Sequence, residues 1–140
     1  MATAKNSLPV KEVFERYHVG WETKNPDLIA SLHSEDTVFQ IHDGSGPVRG
    51  REALRQCCIE TFAKTDFSFE MGRWFCGENH WVFEWTMVVA FKEPDGRPSA
   101  SRVGMLDVVA INPQGEVLRK DVYMNGADAK AAFTRGGIQS

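Results

Sequence analysis

The chain has 140 residues, a formal net charge of −3, 42% hydrophobic and 25% charged residues. These values are ordinary for one globular domain with one core, and they exclude disordered and fibrous classes. Without a basic excess, nucleic-acid binding is not expected. No apolar run approaches the roughly 20 residues that a membrane helix needs, so no membrane span is expected. The opening MATAKNSLPV lacks the apolar stretch of a signal peptide, and a cytoplasmic location is the expectation. Cys57, Cys58 and Cys76 form no Cys-x-x-Cys. No His-x-x-x-His occurs either, so neither a disulfide framework nor a metal site is expected.

In chain order, Val10, Val13, Phe14, Tyr17 and Trp21 recur at three- and four-residue steps, which predicts an amphipathic helix over Val10–Thr23. Asn25-Pro26-Asp27 supplies a cap and a first-turn proline for a short second helix that ends near His33. Thr37 to His42 alternate as a strand, with Val38, Gln40 and His42 on one face and Thr37, Phe39 and Ile41 on the other. Gln40 and His42 are unusual side chains to aim at a core. Either their face is solvated or they line a cavity. Asp43 to Pro47 is turn chemistry, followed by a helix from Gly50 to about Lys64 with Ala53, Leu54, Cys57, Cys58 and Phe62 along one side.

From Phe67 the pattern becomes that of strands. Phe67–Cys76 alternates, with Gly72 as a candidate bulge, and Gly77-Glu78-Asn79 is a tight turn. His80–Phe91 is rich in aromatic and β-branched residues, and its Trp81, Phe83, Trp85, Met87 face is bulky throughout. A loop is predicted for Glu93–Ser101, a strand for Arg102–Asn112, and a last strand for Glu116–Met124. Ala127–Phe133 is a candidate terminal helix. Three helices followed by antiparallel strands make an α+β single domain, with an ordered core over about 9–134.

The order helix, helix, strand, glycine-rich turn, helix, long hairpins resembles the nuclear transport factor two-like superfamily, in detail its SnoaL-type branch of polyketide cyclases and ketosteroid isomerase relatives. The stretches that carry the resemblance are NPDLIASLHSEDTVFQIHDGSGPVRGREALR and VGMLDVVAINPQGEVLRKDVYMN. It implies a cone-shaped α+β barrel with three N-terminal helices packed in a curved, mainly antiparallel sheet. A closed hydrophobic pocket, no cofactor and a homodimer through the sheet are also implied. In ketosteroid isomerase a helix-one tyrosine and a penultimate-strand aspartate form an oxyanion hole, and Tyr17 and Asp107 fall at the matching positions. The position of the isomerase's general-base aspartate is Gln40 here. An amide cannot take a proton from carbon, which leaves His42, on the same face, as the expected base. Limonene epoxide hydrolases carry an Asp-Arg-Asp set. Asp121 lies one residue from the last of these, on the opposite strand face, so that activity is not expected.

The residues are read on their own terms as well. Asp107 sits in the apolar run VGMLDVVAI, where a carboxyl must be paired, or neutral and able to donate a hydrogen bond. Ketosteroid isomerase itself is a precedent for such a neutral donor, since an apolar site keeps one of its aspartic acids protonated. Lys120 beside Arg119 reads as a surface charge, although it shares alternation with Leu118 and Val122. The expectation is a proton-transfer enzyme (isomerase, cyclase or dehydratase) acting on a small apolar or aromatic carbonyl compound. His42 would be the base, with Asp107 and Tyr17 as donors to the enolate. Gln40 would orient the ligand against Trp85, Phe83, Trp21, Met105 and Val109. The alternative is a non-catalytic ligand-binding or dimerisation module of the same fold.

Overall fold

A computed structural model describes residues 9–136. Helix α1 spans Val10–Glu22 and buries Val13, Phe14, Tyr17, Gly20 and Trp21, the stripe that its periodicity predicts. Two residues beyond its end, Lys24, with a positive φ of 53°, turns the chain towards α2 (Pro26–Ser31). Asn25 caps α2 by accepting from Leu28 N at 3.1 Å. A Cβ on Gly20 would lie 2.9 Å from Ile29 Cγ1, so only glycine lets α2 pack this closely on α1.

Strand β1 runs His33–Ile41, beginning four residues before the expected Thr37. The extra residues, HSED, are polar and hid the strand. Of these, His33 pairs with Val117 of the last strand, and an irregularity separates that pair from the regular pairing that resumes at Val38. A two-residue β2 (Val48–Arg49) pairs antiparallel with β1, and α3 follows at Arg51–Lys64. Along α3, Leu54 and Cys58 are fully buried, whereas Ala53 is exposed.

Three long strands follow: β3 (Phe67–Cys76), β4 (His80–Lys92) and β5 (Pro98–Ile111), then β6 (Val117–Met124) and α4 (Gly126–Gly136). Strand β5 starts at Pro98, so the predicted Glu93–Ser101 loop shrinks to a hairpin turn closed by Glu93 N to Arg97 O at 2.8 Å. The pairing register of β3 and β4 shifts between Met71 and Trp74. There a Cβ on Gly72 would stand 2.5 Å from the Glu84 carbonyl oxygen, so the bulge requires glycine.

The six strands form one sheet in the order β2-β1-β6-β5-β4-β3. Its β1–β6 pair is parallel and the other pairings are antiparallel. The sheet is curved but not closed, in the cone-shaped α+β arrangement expected. Helices α1, α3 and α4 contact its strands over the concave face. That face carries the core, with Trp81, Phe83, Val89, Val103 and Val109 each at most 2% exposed.

Candidate functional site

A cavity of about 450 Å³ lies between the concave face of the sheet and the helices. Its walls include Trp21, Phe39, Phe67, Trp85, Met105 and Met124. Asp43, Ser45, Glu60 and Lys64 also line it and are exposed, so it opens to solvent at that end rather than being closed. Among its buried lining residues stand two charged ones, Asp107 and Lys120, 4% and 5% exposed.

Sheet register explains how they meet. Asp107 on β5 lies opposite Val122, and Lys120 on β6 lies opposite Val109, so the two are diagonal neighbours on the inner face. Lys120 Nζ is 3.5 Å from Asp107 Oδ2, while Trp85 Nε1 donates to Asp107 Oδ1 at 3.0 Å. The ammonium also lies 4.2 Å from the Trp21 ring centre, 4.9 Å from Tyr17 and 5.9 Å from Phe39. Such faces attract a desolvated cation by about 2 kcal/mol. Burial alone would pull the Lys120 ammonium down, but facing Tyr17 and Asp107 more than offset this and leave it above its ordinary value. Lys120 is therefore a cation at neutral pH.

Behind this pair runs a buried chain of polarity set by its last member. Thr37 Oγ1 is 3.2 Å from the Val117 carbonyl oxygen, which can only accept, so the threonine hydroxyl donates there. Thr37 Oγ1 then accepts from His33 Nδ1 at 2.8 Å, and His33 Nε2 accepts from the Tyr17 hydroxyl at 2.9 Å. Burial, with Lys120 and Arg51 adding to it, drives the His33 pKa down to about 3, so the ring is neutral as this chain requires. Burial likewise raises the Tyr17 pKa. The Tyr17 proton is thus committed to His33, and Tyr17 meets the cavity's cation through its ring face. This corrects the expectation that Tyr17 donates to an enolate. Asp107, paired with a cation, is likewise an acceptor and not the neutral donor expected.

His42 and Gln40 do not join this group. The Phe39 side of β1 packs inward against Trp21, with ring centres 6.2 Å apart, so strand alternation sends Gln40 and His42 to the opposite face. There His42 Nε2 meets Asp121 Oδ1 at 2.8 Å, and its ring stacks on Tyr123 at 4.1 Å. Gln40 Oε1 accepts from Arg119 Nη2 at 3.3 Å. Arg119 also holds Asp121, whose carboxyl it keeps below the usual range. Neither His42 as base nor Gln40 as orienting group reaches the cavity. Of the expected wall, Trp21, Trp85 and Met105 line it, whereas Phe83 and Val109 are core: Phe83 packs edge-on against Phe14 at 5.1 Å, and Val109 is fully buried.

The residue missed as a site residue is Lys120. Its signal was the shared alternation with Val122, weakened because the register shifts between Ala110 and Ile111 and leaves Leu118 exposed. Cys58 also lines the cavity, but burial pushes its thiol up to about 12, so it is no ready nucleophile. No cluster able to hold a metal ion occurs among the described residues.

Solved structures share this architecture. A hypothetical protein with a ketosteroid isomerase-like fold from Catenulispora acidiphila, determined in complex with trimethylamine, superposes with a TM-score of 0.74 at 17% identity, over 91% of this chain and 94% of its own. The epoxide hydrolase/cyclase-like enzyme SalBIII, of pyran ring formation in salinomycin, matches at 0.69 and 18% identity, over 85% and 92%. An LEH-like epoxide hydrolase of M. tuberculosis matches at 0.72 and 14% identity, over 91% and 90%. At these identities the likeness is one of fold. A search of curated protein sequences found no match. The sequence model of the SnoaL-like domain matches residues 14–119. That stretch runs from the first helix through Asp107 to the residue before Lys120, and the chain belongs to the SnoaL-like domain family.

Proposed function

We propose that this chain is a proton-transfer enzyme acting on a small, largely apolar carbonyl compound, with Asp107 as base and Lys120 as electrophile. What supports this reading is the buried Lys120–Asp107 pair facing an aromatic cavity of about 450 Å³, a size within the range of small-molecule sites. A carbonyl oxygen and a hydrogen on the neighbouring carbon are three bonds apart. A donor and an acceptor separated by 3.5 Å can address both. Asp107 would take the α-proton, the C–H pair would become the enolate double bond, and the carbonyl π pair would move onto oxygen. The Lys120 ammonium would donate a hydrogen bond to that oxygen without giving up its proton. Throughout, Lys120 stands beside a single negative charge, which migrates from Asp107 to the enolate. Return of the proton to a different carbon would complete an isomerisation, and attack of the enolate on a second carbonyl a cyclisation.

A non-catalytic binding module is the second reading, favoured by one observation: each Asp107 oxygen already faces a donor, Trp85 Nε1 or Lys120 Nζ. Deuterium uptake from D2O into the methyl group of 2-acetylnaphthalene, followed by NMR, separates the two. Exchange catalysed by the protein, and lowered about 100-fold or more in Lys120→Met, is the expected result. Binding of the ketone without exchange leaves the binding module.

A further inference from the structure

We infer that the cavity selects uncharged ligands and rejects carboxylic acids of the same shape, and that Asp107 is the residue that sets this selection. The inference rests on the ligand site proposed above and names the charge class of what enters it.

Five ionisable carboxylates and ammonium groups line the cavity: Asp43, Glu60, Asp107, Lys64 and Lys120. Three negative groups stand against two positive ones, and Asp43 and Glu60 are both exposed at the open end. Lys64 is exposed there too, so the rim carries two acids and one base, and an anionic ligand gains at most one counter-charge on entry. Inside, it meets a cation that is already neutralised. Both partners are about nine-tenths buried or more, with side chains 6% exposed, and no other carboxylate or ammonium lines the buried part. A second carboxylate at Lys120 must displace Asp107 or lie beside it. Either arrangement leaves one carboxylate in an apolar enclosure without a counter-charge, which is strongly unfavourable.

An uncharged carbonyl oxygen meets no such penalty. Lys120 carries three N–H groups and Asp107, at 3.5 Å, is one charged acceptor beside them, so the ammonium has donors to spare for a ligand. A carbonyl can accept from one of them while the ion pair stays intact. The rest of the ligand lies against Trp85 and Phe67 and against the deformable Met87, Met105 and Met124. At the ~30 Å³ that a water-sized group occupies in a liquid, the cavity admits a ligand of about 15 such groups. A bicyclic ketone is of that order.

The probes are 2-acetylnaphthalene and its isostere 2-naphthoate, titrated calorimetrically into the unaltered protein at pH 7. The ketone binds at least about tenfold more tightly than the carboxylate if the ion pair sets selectivity. In Asp107→Asn the order reverses, because Lys120 is then an uncompensated cation and the naphthoate becomes its counter-ion. Equal or tighter naphthoate binding to the unaltered protein overturns the inference, as does failure of both probes to bind at millimolar concentration. A ketone preference that persists unchanged in Asp107→Asn overturns the role of Asp107. The comparison on the unaltered protein decides the selectivity even if Asp107→Asn does not fold. Selective ketone binding without deuterium exchange would sink the enzyme reading and leave this inference standing. Exchange together with equal naphthoate binding would do the opposite.

Discussion

Strand β6 carries a cation and an acid in neighbouring positions, Lys120 and Asp121, and the sheet sends them to opposite faces. On the concave side, Lys120 meets Asp107 in an enclosure where both side chains are 6% exposed. On the convex side, Asp121 meets Arg119 and His42, whose side chains are 46% and 30% exposed. The chemical groups are alike, yet the physics differs. Outside, water and salt screen the charges, so the pairs orient side chains and contribute little. Inside, neither charge has water to fall back on, so each depends on the other, and the same dependence makes the pair responsive to a ligand. An ion pair is therefore informative about function where it is buried beside empty space.

The comparison is broken most directly by removing one inner partner. Lys120→Met or Asp107→Leu is expected to destabilise the fold by about 3–5 kcal/mol, because a buried charge is left alone. The double substitution Lys120→Met/Asp107→Leu is expected to recover most or all of that loss, since two apolar side chains of similar volume replace two charges. Urea midpoints for the three variants test this. Simple additivity of the two single losses would show that the groups do not interact.

Next in size is the pH dependence of the chain that holds Tyr17. The His33 pKa lies at about 3 in the folded protein against an ordinary 6.5 for the unfolded chain. Between those values the unfolded chain binds a proton that the folded chain does not, so stability rises with pH across this window. The contribution is complete above about pH 6.5 and is reduced by about 2 kcal/mol at pH 5. Comparing the pH 5 to 7.5 change in unfolding free energy with that of His33→Asn isolates the ring. His18, also lowered by burial, changes in the same direction and remains in both proteins. An equal slope in the variant would show that His33 is not the group responsible.

Smallest are the outer-face changes. Asp121→Asn and His42→Ala are each expected to alter stability by no more than about 1 kcal/mol. Both are expected to leave deuterium exchange into the ketone unchanged. A large loss of exchange in His42→Ala would place the outer face in the chemistry and contradict the assignment to Lys120 and Asp107.

Much of the architecture is legible in local pattern. The α1 stripe, the Asn25-Pro26 start of α2 and the long aromatic β4 depend on near neighbours, and each appears where expected, as does the Gly72 bulge, whose glycine marks it although its cause lies on β4. The elements that escaped are those defined by distant partners. Polar His33 opens the strand by pairing with Val117 of β6, and Val48–Arg49 are strand because β1 lies alongside. The site follows the same division. Asp107 announces itself because a carboxyl in an apolar run needs a partner. Its actual partner, Lys120, sits beside Arg119 and Asp121, where it looks like one more surface charge.

The sequence by itself determined the periodicities, the caps and the fact that Asp107 had to be paired or neutral, since all of these follow from bonding and burial within a few residues. It also determined that Gln40 and His42 share a face, because strand alternation is a property of the backbone. Which face became the interior was decided only in the tertiary structure, when Phe39 packed on Trp21 and β6 paired with β1. One residue of register separates the inward Lys120 from the outward Asp121. That choice is made by the packing of strands and helices far apart in the chain, because local alternation is identical for both faces.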